Sequence, residues 1–215
     1  MQLRDCSHDL ESGRPYPGDP PVSVTPHASF EADGYRVADI SCSTHSGTHV
    51  DAPSHMLADG KFLDEFSVEE FQFDAHLVDC TDHGEREAVG ADAIPGAAGS
   101  TDVDLLVFHT GWSERWGRRE YFDHPYLTER AAERCVDLDC DVGLDTASVD
   151  PTPTRNASDD EPSGYPAHAA LLGADSLVVE NLTNLAGLPE RFTLHAYPIP
   201  VAADGAPVRA VAAFE

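Results

Sequence analysis

Apolar residues fall along this chain in short bursts, broken every few positions by Gly, Pro or an acid. That rhythm belongs to strands more than to long helices. Between Tyr35 and Cys42, the positions Val37, Ile40 and Cys42 alternate imperfectly and predict a strand. The runs 75–80, 104–109, 142–145, 176–180 and 192–197 predict further strands. Two helices are expected. Residues 123–135 carry Pro125 near the start and Leu127, Ala131, Ala132 and Cys135 on one face. Residues 166–172 open on Pro166, where a missing N–H costs little. The Gly-Arg-Pro-Tyr-Pro-Gly-Asp-Pro-Pro run at 13–21 predicts a rigid non-helical loop. Three prolines and four acids between Thr146 and Gly164 predict a surface loop. Strands outnumber helices and alternate with them irregularly. The expected fold class is therefore α/β: one β-rich domain over residues 1–215, with mixed sheets and few helices, rather than a doubly wound sheet.

Charge changes the picture of partners. Against 13 Lys plus Arg stand 39 Asp plus Glu, a formal net charge of −26, and Lys61 is the single lysine. Such a surface repels phosphate backbones, which argues against nucleic acid as a partner. It also suits a halophile's cytosol, where salt screens the self-repulsion, and the expected source is a halophilic archaeon. No apolar run approaches the ~20 residues that span a bilayer, and the N-terminus has no apolar leader segment. A soluble cytoplasmic protein without a membrane partner is expected. The five cysteines include no Cys-x-x-Cys pair and read as free, mostly buried residues. Cys42, close to the histidines described next, is also a candidate soft ligand.

The chemistry is concentrated in eleven residues. His45, His49, Asp51 and His55 crowd around Gly47 and Pro53. Imidazole with carboxylate is a ligand set for Zn, Mn or Fe. His45 and His49 have the spacing of a helical zinc motif, but Ser-Gly-Thr between them and Pro53 beyond disfavour a helix. A bend at Gly47 is expected to bring the two rings together. An extended backbone would set His49 and Asp51 on one face, and Pro53 would stiffen the turn that places His55. Glu180 ends the apolar run 177–179, where a carboxylate is costly unless paired or metal-bound.

The run His45-Ser-Gly-Thr-His49-Val-Asp51-Ala-Pro53-Ser-His55 resembles the signature of the cyclase family, which includes bacterial kynurenine formamidases and isatin hydrolases. The likeness continues in Asp5-Cys-Ser-His8, in Pro17-Gly-Asp19, in the element from Gly143 to Asp150, and in His168 and Glu180. It implies a swivelling β/β/α cyclase-like fold and a site for one or two divalent ions, zinc first, with manganese or iron as alternatives. By the resemblance, His49, Asp51 and Glu180 would hold one ion. His45 and His168, with a bridging Asp51 or Glu180, would hold a second. His55 would be the catalytic base and acid. Tyr16 would pack on the substrate's aryl ring, and Asp19 is a candidate polar contact. Phe62, Phe66, Phe71, Phe73, Trp112 and Trp116 are divided between core and pocket. No Gly-x-Ser-x-Gly elbow is present, which disfavours a serine nucleophile.

The function implied is a metal-dependent hydrolase of carbon–nitrogen bonds other than peptide bonds. Its expected substrate is N-formyl-L-kynurenine, cleaved to L-kynurenine and formate. A cyclic amide or lactone hydrolase of the isatin type, and a metal-binding protein without turnover, are the alternatives. The resemblance also implies a homodimer or homotetramer.

Overall fold

The computed structural model describes residues 1–94 and 103–215. Its strands are β1 (Gln2–Asp5), β2 (Ser23–Ala28), β3 (Val37–Ser41), β4 (His49–Asp51), β5 (Gln72–Asp79), β6 (Ala88–Val89), β7 (Leu105–His109), β8 (Tyr126–Leu127), β9 (Asp141–Leu144), β10 (Val178–Glu180), β11 (Arg191–His195), β12 (Gly205–Pro207) and β13 (Val211–Phe214). The helices are a single turn, α1 (Phe30–Asp33), with α2 (Glu129–Asp137) and α3 (Pro166–Gly173). Nine strands form one sheet in the order β1-β13-β11-β5-β7-β9-β10-β4-β12. The centre, β5-β7-β9-β10, is parallel, and the flanks are antiparallel. This is the expected β-rich, mixed α/β architecture with few helices.

The central strands are covered on both faces, which explains why β7 reads Leu-Leu-Val-Phe without alternation. Leu105 and Val107 point into one core with Phe73, Val179 and Leu194. Leu106 and Phe108 point into the other with Val142 and Val178, where Ala131, Ala132 and Cys135 of α2 and Leu171 and Leu172 of α3 close the layer. Burial of each such Leu or Phe stabilises the fold by about 1.5–3 kcal/mol. Cys42 is exposed, while Cys6, Cys80, Cys135 and Cys140 are buried.

Two expectations are corrected and a third is refined. The helix predicted from 123 begins at Glu129. The Thr128 side chain accepts the Ala131 N–H and caps it, while Tyr126 and Leu127 are drawn into β8, paired with β6. Residues 146–152 are buried, and a surface course begins only beyond them. Their polar groups find internal partners: Asp150 accepts the N–H groups of Ala167 and His168, and the Arg86 guanidinium donates to the Thr152 carbonyl and to Asp123 and Glu161. Finally, β3 is a strand, but it pairs with β2 in a separate two-stranded sheet and is exposed along its whole length. Hairpin pairing, rather than burial, is what orders it.

Candidate functional site

Strand β4 is the foundation. Gly47 takes φ 65°, a left-handed turn that brings the His45 and His49 rings to 5.2 Å between centroids. His49 and Asp51, two apart on an extended strand, share one face, and Val50 fills the opposite core. Glu180 is the register partner of His49 across the β10–β4 ladder, so its carboxylate lands on that same face. Pro53 starts a single 3-10 turn ending at His55. From above, the first turn of α3 lowers His168 onto the group. The sequence-predicted residues His45, His49, Asp51, His55, His168 and Glu180 thus meet in one place, from three separate stretches of chain.

Their hydrogen bonds define what is left over. The His49 Nδ1–H donates to the Gly47 carbonyl at 2.9 Å, leaving Nε2 as the basic nitrogen. That Nε2 is buried without a hydrogen bond, 3.2 Å from Asp51 Oδ1 and 3.5 Å from Glu180 Oε2. His168 Nδ1–H donates to Asp150 Oδ2 at 2.8 Å, so its Nε2 also presents a lone pair, 3.3 Å from Glu180 Oε1 and 3.6 Å from Asp51 Oδ2. Asp51 Oδ2 is a second buried orphan. Acceptors facing acceptors in a buried site call for a cation between them. Two sets of ligand atoms lie within 4.8 Å of one another: His49, Asp51 and Glu180, and His45, Asp51 and His55. The donor set therefore fits a divalent ion.

His45 Nδ1 lies 2.7 Å from Asp51 Oδ1, the oxygen that His49 also approaches, while His168 faces Oδ2. His45 shares its cluster with Asp51 and His55, and His49 shares the other with Asp51 and Glu180. Cys42 belongs to neither cluster.

Electrostatics tell the same story. Burial opposes charge on His45, yet Asp51 and then Asp204 outweigh it and raise the ring to about 9. Burial likewise opposes charge on His168, but Asp150, Asp51 and Glu180 lift it well above the usual imidazole range. Against its own burial, Asp51 is held well below the carboxylate range by His49, His168 and His45. The side chains demand positive charge at their centre. His55 differs: burial is the larger influence and lowers it.

Above this floor opens a cavity of about 390 Å³. Tyr16 and Asp19, the predicted substrate contacts, both line it. The Asp19 N–H closes a turn on the Tyr16 carbonyl at 2.9 Å, and the Tyr16 ring stands edge-on to Phe122. Trp116 forms a wall. Its Nε1–H donates to Ser12 Oγ, and His8 stacks on its face at 4.0 Å and 5°. Burial pushes His8 down to about 4, which keeps that ring neutral. Tyr121 also lines the cavity, its hydroxyl donating to Asn181 Oδ1. Among the described residues that line it, Arg14 is the sole Arg or Lys. Phe71 and Phe73 are core, as is Trp112, whose face carries the Arg115 guanidinium.

Sequence reasoning missed Asp204, whose Oδ2 lies 3.1 Å from His45 Nε2 and 3.4 Å from His55 Nδ1. Its Asp-Gly setting carries only a turn signal. Asp150 stood inside a quoted element but without a role, because its two backbone partners belong to a helix 17 residues away. Among the described residues, no helix is long and apolar enough to cross a membrane.

The kynurenine formamidase of Geobacillus thermodenitrificans is 30% identical over 212 residues, covering 96% of this chain and 94% of that protein. The kynurenine formamidase of Salinibacter ruber is 30% identical over 219 residues, covering 98% and 97%. Isatin hydrolase A from Labrenzia aggregata, solved with benzyl benzoate, superposes with a TM-score of 0.84 at 25% identity over 98% of this chain and 93% of that one. The Cyclase family profile matches residues 4–151, and the chain belongs to that family of kynurenine formamidase- and isatin hydrolase-like proteins.

Proposed function

We propose that this protein is a metal-dependent arylformamidase that hydrolyses N-formyl-L-kynurenine to L-kynurenine and formate. One observation carries the reading: two buried, unpartnered ligand atoms, His49 Nε2 and Asp51 Oδ2, converge with Glu180 and His168 beneath an aromatic-walled cavity. His49, Asp51 and Glu180 would hold one ion, and His45 and His168, sharing Asp51 or Glu180, a second where two are bound. Zinc suits these N and O donors, as do manganese and iron. A divalent ion bound there supplies an acidified water and polarises a carbonyl oxygen.

The chain's own residues do the rest. His55 stands at the rim, its ring 4.0 Å from His45 and 5.9 Å from His168 between centroids, and about 30% of its side chain reaches solvent. It accepts the proton of the attacking water and returns it to the departing aniline nitrogen as the formyl C–N bond breaks. Tyr16, Trp116 and Phe122 offer flat apolar surfaces to an aryl ring. Arg14 at the cavity supports a substrate with a carboxylate, which N-formyl-L-kynurenine carries.

A second reading keeps the same site for a cyclic amide or lactone, and the structural likeness to isatin hydrolase A supports it. Metal analysis followed by parallel assays of N-formyl-L-kynurenine and isatin separates the two. The third reading, metal as a mere staple, fails if His55→Ala abolishes hydrolysis while the metal stays bound. If metal-replete protein in molar salt turns over no amide or lactone, the hydrolase reading is wrong. Assembly as a homodimer or homotetramer belongs to the same proposal, and sedimentation in molar salt tests it.

A further inference from the structure

We infer that Asp204 is a positioning residue, whose one carboxylate oxygen holds both His45 and His55 in working orientation. The inference rests on the proposed role of His55 as base, but two of its measurements are independent of turnover.

The juxtaposition is specific. Asp204 Oδ2 lies 3.1 Å from His45 Nε2 and 3.4 Å from His55 Nδ1. A carboxylate only accepts, so each ring nitrogen facing it carries the proton. His45 faces a carboxylate on both sides, with Nδ1 2.7 Å from Asp51 Oδ1, so Asp204 keeps the proton on Nε2 once Nδ1 is given to an ion shared with Asp51. On His55 the same carboxylate leaves Nε2 as the basic nitrogen. One acceptor thereby sets the tautomer of a candidate ligand and of the candidate base, the division of labour expected of a carboxylate behind a metal-bound imidazole or behind a catalytic one.

The backbone holds Asp204 in place independently of its side chain. Its carbonyl accepts the Ala52 N–H at 2.9 Å, at the point where β12 begins to pair with β4. The next residue, Gly205, is the register partner of Asp51. A Cβ at Gly205 would stand 2.7 Å from His45 Cε1, so the ring packs directly on bare backbone. Asp204 and Gly205 together form a seat: the carboxylate turns the imidazole and the glycine makes room for it. Because the anchor is a main-chain bond, Asp204→Asn and Asp204→Ala leave it intact.

The first measurement uses the zinc-loaded wild type. Long-range 1H–15N correlation of the imidazoles is expected to show His55 protonated on Nδ1. Protonation on Nε2 overturns the inference. The second compares zinc affinity by competition with a chelator. Asp204→Ala should keep the wild-type stoichiometry but bind about 10–100-fold more weakly, with Asp204→Asn in between. Loss of a whole equivalent of zinc would make Asp204 a ligand and sink the positioning role, and so would unchanged affinity. The third follows N-formyl-L-kynurenine. Here kcat should fall about 10–100-fold with KM little changed, and Asn should restore part of the loss. A change confined to KM counts against the inference. If no substrate is turned over at all, the function reading fails while the tautomer and zinc results still decide the role of Asp204.

Discussion

Two aspartates of the same sheet, Asp51 in β4 and Asp141 in β9, are driven in opposite directions. Both suffer from burial, which favours the neutral acid. Asp51 is surrounded by His49, His168 and His45 and stays ionised far below its ordinary range. Asp141 accepts the Leu177 N–H, but Asp104, Glu70 and Asp139 stand near it, and it rises to about 7. The strands are only two apart, with β10 between them. What differs is the company. Around Asp51 imidazoles gather about a carboxylate and create a demand for a cation. Around Asp141 carboxylates gather about a carboxylate, and it takes a proton.

Removing Asp51 should have the largest effect. Asp51→Asn leaves three imidazoles without their shared carboxylate, and both metal content and hydrolysis should fall below detection. Truncating one partner of such a buried charged group costs about 3–5 kcal/mol, which denaturant unfolding of the metal-free protein will read. Retained metal in this variant would remove Asp51 from the ligand set.

His55→Ala should lower kcat by about 10²–10⁴-fold, the usual worth of a general acid–base. Metal content by elemental analysis should not change. A parallel loss of metal would move His55 into the ligand set, beside His45 and Asp51.

Salt should matter next. With a net charge of −26, self-repulsion is screened only as the Debye length contracts from about 10 Å at 0.1 M to about 3 Å at 1 M. The Tm is expected to climb with KCl over that range. A flat profile would contradict the expectation of a halophilic source.

Asp141→Asn probes the other end of the comparison and should give the smallest effect. The folded protein holds this proton more tightly than the unfolded chain does, so the wild type loses stability as pH rises from about 4 towards 7. The variant should therefore match the wild type near pH 4 and exceed it above pH 7, by on the order of 1 kcal/mol after screening. Thermal melts at both pH values check the sign. Equal stability throughout would mean that Asp141 ionises freely.

Much of the site was legible because its residues sit close together in sequence. A bend at Gly47, an extended pair at His49 and Asp51, and a proline before His55 are local instructions, and the backbone obeys each of them. The central strands were equally readable, since both their faces are buried and the apolar run is unbroken. Thr128 outcompeted Pro125 as the start of α2, because a side-chain cap is worth more than a tolerated proline. Residues 146–152 looked like surface by composition alone. Their one proline and one acid, Pro151 and Asp150, are buried because Asp150 caps α3 and Arg86 anchors the segment.

Composition, spacing and the histidine-rich motif were enough by themselves to determine the class of fold and the family likeness, and that likeness named the six converging side chains. Tertiary structure alone decided which atoms face which. It set His45 and His49 against Asp51 Oδ1 and His168 against Oδ2, stacked His8 behind Trp116, and brought Asp204 to two imidazoles about 150 positions away in the chain. The reason is physical: a residue's type fixes what it can donate or accept, but only strand register and helix placement choose its partner.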